Sequence, residues 1–573
     1  MPLLESPAYT DADIPDYPQS TPQPLKIIHV GAGASGLIFA HKAERGLKNF
    51  ELICYEKNDS IGGTWYENVY PGCACDIPAH TYTLPFEPNP EWSGYYSYSD
   101  EIQQYFLKFA KKYGVEKYVK LNTAVESATW DESESIWKVA LKRKDGTTFV
   151  DSCNVLVNGS GVVNKWKWPT IEGLHDFQGV LAHSAAWDRS IDWAGKTVAV
   201  IGTGSSSIQM VPKFAETGKH VSVFMRNQTY IGPQFGSNVS NKEADPDAME
   251  PHAAGKHQYT EKEKQRFRDD PDYHLRYRKA VERSVVSGFK MFYRGSETNI
   301  AAKKLMQDSM SQRLGDRDDL KKRFIPEWSP GCRRLTPGEG YLEALCEPNV
   351  TCVFSDIVKI TPTGLVTADN VERNVDILVC ATGFHIGYQP HFRVTGTGGQ
   401  VMQDQKQPNV YASICVPGFP NYFVVNGPRG NWGQGCVMPS HEVHTEYIVQ
   451  CCQKMQQDDV KSMVPREDVT TQLNLYMDAW HRKHSVWAED CRSWYKDNEP
   501  NGRVWIWPGS LFHHLKFMKR PRFEHYELTY KDPSNIFAFL GNGLTITEEK
   551  FAGTEDMPIP YIRKDEDEIW DIE

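Results

Sequence analysis

A short β-branched run, a glycine-rich turn and a helical segment occur twice in this chain, 171 residues apart, and that duplication narrows the possible folds more than any other feature. The first copy runs LKIIHV from Leu25, then Gly31-Ala-Gly33-Ala-Ser-Gly36, then LIFAHKAERG with helical spacing. The second runs KTVAVI, then Gly202-Thr203-Gly204-Ser205-Ser206-Ser207, then IQMVPKFAETG, with Gln209 early in its helix. In such a unit the glycines let the backbone approach a pyrophosphate, and the following helix offers unpaired N–H groups and the positive end of its dipole. The fold class is therefore α/β, with two dinucleotide-binding, Rossmann-like domains. The second strand of the first copy, ELICYE, ends in Glu56, 20 positions past Gly36, where a carboxylate accepts hydrogen bonds from ribose hydroxyls. The corresponding strand of the second copy, HVSVFM, runs into Arg226 and Asn227. A carboxylate there would repel a 2′-phosphate whereas a guanidinium clamps one, so this unit suits NADP better than NAD.

Two dinucleotide folds in one chain point to a flavin and a nicotinamide exchanging a hydride. The chain of 573 residues carries 63 Lys+Arg against 74 Asp+Glu, a net charge of −11 that disfavours a nucleic-acid partner and favours small molecules. No apolar run approaches the roughly 18 residues of a membrane span, and the acidic, Pro-rich start lacks the order of a signal peptide, so the expected location is cytoplasmic. Thirteen cysteines with no C-x-x-C and only Cys73-x-Cys75 close together suggest neither a disulfide framework nor a metal site. Most are expected to be small buried hydrophobes. A disulfide reductase, which needs a redox cysteine pair beside its flavin, is disfavoured on the same ground.

Further motifs carry a resemblance to a known family. FQGVLAHSAAWD supplies Phe177, Gly179, His183, Trp187 and Asp188. This segment resembles the fingerprint of the class B flavin monooxygenases, and its Trp-Asp ending is like that of the type I Baeyer-Villiger monooxygenases. Gly62-Gly63-Thr64-Trp65, then Tyr70-Pro71-Gly72 and Asp76, resembles the family's second signature. The likeness extends from Leu25 to about Ser510.

The resemblance implies FAD and NADPH as cofactors and a ketone and dioxygen as substrates, with an anionic peroxyflavin converting the ketone to an ester or lactone. It implies that Thr64 and Trp65 contact FAD, that Asp76 and Tyr82 lie by the flavin ring, and that the Val125 backbone meets the adenine. In PGCRRLTPG it puts Arg333 at the NADP phosphate and Arg334 at the flavin as the catalytic cation, with Asp76 orienting it. The C-terminal tryptophan that packs on the nicotinamide nucleotide is best matched by Trp494, although Trp505 and Trp507 lie close by. His183 reads as a linker residue with a structural or conformational role rather than a proton carrier. Trp432 and Met438, in a glycine-framed loop before a helix, line the pocket or belong to the core.

The domain division that follows is a Pro-rich arm over 1–24, a first FAD-binding part over 25–163, an NADPH-binding domain over 164–383 interrupted by a helical insertion over 231–325, and a second FAD-binding part with the C-terminal segment over 384–573. Two other activities stay open at this point. One is oxygenation of sulfur or nitrogen, and the other is a non-oxygenating NADPH-binding flavoprotein sensor.

Overall fold

The strand Leu25–Val30 pairs in parallel with Phe50–Tyr55 on one side and Val155–Asn158 on the other. Tyr422–Val424 and Val119–Lys120 extend the two edges into a five-stranded parallel sheet. These contacts come from a computed structural model that describes residues 9–236, 238–249, 256–386 and 389–572. Pro2 and Pro7 of the arm lie outside them. A second five-stranded parallel sheet runs in the order Val350–Val353, His220–Phe224, Thr197–Ile201, Ile377–Cys380 and Val180–His183. Central strands of both sheets are apolar on both faces, with Ile27, Ile28, Val198 and Val200 at most 1% exposed, as parallel strands covered by helices require. The strand order reverses beside Leu25–Val30 in the first sheet and beside Thr197–Ile201 in the second, and the crevice at the carboxyl ends of such strands is where α/β sheets bind nucleotides.

Beyond residue 384 the chain returns to the first sheet. Tyr422–Val424 completes it, Arg393–Thr395 pairs with Ser127–Thr129, and the helix Met438–Gln457 packs on the helix Ala34–Gly46. Lys42 bridges that packing, donating to Glu446 at 2.8 Å and also pairing with Glu442. A small antiparallel sheet of Thr123–Asp131, Ile136–Arg143 and Thr148–Cys153 is an addition that the sequence reading had not singled out.

After a loop through Pro233, much of the described part of residues 231–325 is helical. The helices Glu261–Asp269, Pro271–Val286 and Glu297–Arg313 begin at Thr260, Asp270 and Ser296, whose side chains accept the amide hydrogen bonds of their first turns. A two-residue parallel pairing of Ile231–Gly232 with Thr336–Pro337 closes the base of the insertion. Its upper surface rests on the first unit: Arg278 Nε donates to the His80 carbonyl at 3.0 Å, and Tyr95 Oη donates to the Phe235 carbonyl at 3.0 Å.

The N-terminal arm is wrapped on the surface in its described part. Gln19 and Ser20 donate backbone hydrogen bonds to Leu544 and Phe539 at 2.7 and 2.8 Å. One expectation about the cysteines is corrected, because Cys332 and Cys491 form a disulfide across a sequence separation of 159 residues. No spacing rule reaches that far; the bond exists because the loop before Leu335 meets the C-terminal segment. The free cysteines, Cys73 and Cys75 among them, are mostly buried. No helix among the described residues is long and apolar enough to cross a membrane.

Burial of imidazoles has a consequence for acid stability. His29, His183 and His274 are pushed down to about 4, and His481 and His514 to about 3, with removal from water the leading cause in each. Below about pH 6.5 the unfolded chain binds protons that the folded chain refuses, so stability is full above that value and falls as pH drops toward 4. Each such histidine costs up to about 1.4 kcal/mol per pH unit within the window. A melting temperature constant from pH 8 to 7 and falling steeply between pH 6.5 and 5 is the expected result; a flat profile down to pH 5 would contradict it.

Candidate functional site

Gly31 has φ +96°, a conformation that favours glycine, and a Cβ at Gly36 would lie 2.3 Å from the Gly31 carbonyl oxygen. Gly33 caps the helix Ala34–Gly46 without any side-chain bond, so the first amides of that helix are available to an anion. Glu56, 4% exposed, accepts from the Ala32 amide at 2.8 Å and the Asn58 amide at 2.9 Å, which fixes its carboxylate at the end of its strand against the glycine turn. The Thr123 amide donates to the Glu56 carbonyl at 2.8 Å, and so brings the strand holding Val125 to the same edge. The Gly62-Gly63 turn folds onto the first one, its Gly62 amide donating to Ala32 at 3.1 Å. Thr64 is exposed at the start of the short helix that follows, and Trp65 Nε1 donates to the Tyr82 hydroxyl at 3.0 Å. A glycine cradle, an uncapped helix and a fixed carboxylate fit the pyrophosphate and ribose of FAD.

The second turn repeats the arrangement. Gly202 has φ +121°, and a Cβ there would meet the Ala381 carbonyl at 2.5 Å, whereas the space around Gly204 is open. The helix Ser205–Thr217 again lacks a side-chain cap. Thr203 Oγ1 donates to the Asn227 carbonyl at 3.1 Å, tying the turn to the strand end that carries Arg226. Ser205 bonds Thr336 at 2.9 Å, Ser206 lies in the first turn of the helix, and Ser207 is buried. Gln209 is engaged in bridging, since its Oε1 accepts from Tyr70 at 2.8 Å and its Nε2 donates to the Ala74 carbonyl at 2.9 Å. It joins the second unit to the loop that leads to Asp76.

Arg226 and Arg333, distant in sequence, are near enough for their charges to repel. Arg333 donates to the Gln228 carbonyl at 3.1 Å and is held below its ordinary range, first by burial and then by the Arg226 guanidinium. An anion bound beside both guanidiniums would relieve that repulsion.

Arg334 grips Asp76 through two nitrogens. Its Nε donates to Oδ2 at 3.1 Å, and its Nη2 donates to Oδ1 and Oδ2 at 2.8 and 2.6 Å. Asp76, 15% exposed, backs a guanidinium that is 41% exposed, so the cation presents an open side to the site. The carboxylate beside it pushes Arg334 above the already high arginine range, so it stays charged throughout the physiological range. Burial holds the Tyr82 phenol well above its usual value, which keeps it protonated.

The fingerprint residues lie elsewhere, at the crossing between the two sheets. The His385 amide donates to the Lys165 carbonyl at 2.7 Å, pairing the outgoing and returning strands. His183 lies beneath them, stacked on Trp166 at 4.5 Å, with Nε2 3.3 Å from the Thr382 hydroxyl and Nδ1 accepting from the Ala185 amide at 3.1 Å. A Cβ at Gly179 would meet the Asp376 carbonyl at 2.5 Å, and Phe177 and Trp187 are buried. Asp188 accepts from the Ser190 amide at 2.8 Å. These residues shape the crossing, and His183 is a neutral imidazole there.

Of the three C-terminal tryptophans, Trp505 and Trp507 are at most 2% exposed, while Trp494 keeps a partly open face and packs on Tyr495 at 4.4 Å. Trp432 and Met438 are buried, Met438 fully. Sequence reasoning missed Tyr495, a buried neighbour of Trp494, and the disulfide between Cys332 and Cys491. The one signal for Tyr495 was its position next to Trp494.

Two Rossmann-like units that meet at a bidentate arginine–carboxylate pair define an oxidoreductase working with two dinucleotides. The chain belongs to the FAD-binding monooxygenases. It is 40% identical over 541 residues to the FAD-binding monooxygenase tazF of Aspergillus terreus, covering 93% of this chain and 94% of that one. It is 29% identical over 510 residues to a Baeyer-Villiger monooxygenase of Pseudomonas aeruginosa, covering 88% and 91%. Residues 30–99 match the NAD(P)-binding Rossmann-like domain. The fold is that of cyclohexanone monooxygenase from Rhodococcus sp. Phi1 bound to NADP+, with a TM-score of 0.75 over 89% of this chain and 100% of that one at 23% identity. The family resemblance drawn from the motifs is thus borne out, with FAD and a nicotinamide dinucleotide as cofactors.

Proposed function

We propose that the protein uses NADPH and dioxygen to convert ketones to esters or lactones. The observation that carries this reading is the bidentate Asp76–Arg334 pair, built from two segments 258 residues apart and open on the arginine side. FAD, when bound, supplies hydride acceptance and the transfer of one oxygen atom from dioxygen. The protein's own part is electrostatic. Arg334 has only donors and no proton to give up, so it stabilises negative charge on the reacting oxygens, while Asp76 holds the guanidinium in place. Arg226 and Arg333 hold the 2′-phosphate of NADPH, and Trp494 covers its nicotinamide end. In this reading residues 25–163 and 384–573 form the FAD side, and 164–383 the NADPH side with its insertion over 231–325.

Incubation with linear, cyclic and polycyclic ketones under labelled dioxygen tests the proposal. One labelled oxygen atom in an ester product for each NADPH consumed is expected. NADPH consumption that yields only hydrogen peroxide with every ketone, or products from sulfides alone, would remove the ketone reading.

A further inference from the structure

The helix Ser205–Thr217, whose start completes the second glycine turn, is bonded to both of the loops that supply the Asp76–Arg334 pair. Ser205 Oγ lies 2.9 Å from the Thr336 hydroxyl, two residues beyond Arg334. Gln209, four residues on and so on the same face of the helix, reaches Ala74, two residues before Asp76. Its Nε2 donates to the Ala74 carbonyl at 2.9 Å, while its Oε1 accepts from the Tyr70 hydroxyl at 2.8 Å and from the Ala74 amide at 3.4 Å.

The loop from Tyr70 to Asp76 is shaped for this approach. Gly72 has φ +77°, and a Cβ there would lie 2.6 Å from the Gln209 carbonyl oxygen and 3.4 Å from Lys213 Cγ. A side chain at that position would push the loop off the helix. On its other side the loop is held by the first unit, where the Ser99 amide donates to the Cys73 carbonyl and the Cys75 amide to the Ser97 carbonyl, each at 2.9 Å. Asp76 thus comes from the first unit and Arg334 from the second, and Gln209 bridges the boundary one helical turn from the glycine turn.

We propose that Gln209 is a positioning residue: by gripping the Ala74 backbone it sets Asp76 in register with Arg334, and so couples the second dinucleotide turn to the oxygenation site. A bidentate carboxylate–guanidinium pair tolerates little misplacement, because its hydrogen bonds must form together. A preorganised charge stabilises a reacting oxygen only when it is held where negative charge develops, so a small shift of the loop is costly. The functional half of the proposal rests on the ketone reading above.

The test compares Gln209→Met with the wild type, both full-length and FAD-loaded. Methionine keeps the length of the side chain and removes its amide. In hydrogen exchange followed by mass spectrometry, the amides of residues 70–76 are expected to exchange about five- to tenfold faster, as the loss of one or two hydrogen bonds implies, with those of Leu25–Val30 unchanged. Ester formed per NADPH consumed is expected to fall by about three- to tenfold, the balance appearing as hydrogen peroxide, while calorimetric affinity for NADP+ stays within about twofold. Because the residue acts through Asp76, the same substitution in an Asp76→Asn background is expected to change the ester ratio by less than about twofold. Equal fold losses in both backgrounds would make Gln209 a general support of the fold and overturn the proposal. An NADP+ affinity weakened by more than about fivefold would make it a nucleotide ligand and overturn it as well. Unchanged exchange over residues 70–76, or an unchanged ester ratio, would do the same. If the wild type forms no ester from any ketone, the ketone reading fails by itself, and exchange over residues 70–76 then decides for or against the grip.

Discussion

Arg334→Ala is expected to lower ketone oxygenation by about a hundredfold or more while FAD stays bound and NADPH is still oxidised, because removing one preorganised donor to a developing oxyanion costs about 3–4 kcal/mol. The loss has two parts. The cation that stabilises the reacting oxygen disappears, and Asp76, 15% exposed, is left without its bidentate partner. Asp76→Asn separates them, since it keeps the cation but removes the charge that orients it, and its effect is expected to be smaller. Arg334→Lys is expected to resemble the alanine variant, because an ammonium cannot reproduce the two-nitrogen grip on Asp76. Stopped-flow absorbance of the reduced protein mixed with oxygen, combined with product analysis, measures each step. An alanine variant that still forms ester at the wild-type rate would remove Arg334 from the chemistry.

Arg226→Ala is expected to raise KM for NADPH by about ten- to a hundredfold, with kcat and the KM for NADH nearly unchanged, since a charge-assisted hydrogen bond contributes about 1.5–3 kcal/mol. The physical basis is charge repulsion with Arg333, which is held below its ordinary range first by burial and then by the Arg226 charge. An anion bound between the two relieves that repulsion, and only the 2′-phosphate distinguishes NADPH from NADH. Arg333→Ala is expected to act on the same constant, with the double variant falling short of the sum because both residues serve one phosphate. Steady-state kinetics with both nucleotides decides; a parallel rise in both KM values would place Arg226 on a part of the nucleotide that NADH shares.

Local requirements were legible from residues because they are written within a few positions of one another. Gly31, Gly36 and Gly202 stand where a positive φ or a close backbone approach leaves no room for a side chain. Glu56 and Arg226 follow the ends of their strands, the positions from which an acid or a base is proposed to select the nucleotide. The polar helices of 231–325 carried their caps in Thr260, Asp270 and Ser296. The partners of His183, Trp166 and Thr382, come from two chain crossings that no spacing connects.

Sequence alone thus determined the two nucleotide folds and the motifs that carry the family resemblance. Tertiary structure decided what those residues meet. The grip of Arg334 on Asp76 and the disulfide between Cys332 and Cys491 join segments that are far apart in the chain. The physical reason lies in range. A turn or a cap is stabilised by atoms within one window of residues, whereas a pair across two sheets forms only when the packing of both places its two halves within bonding distance.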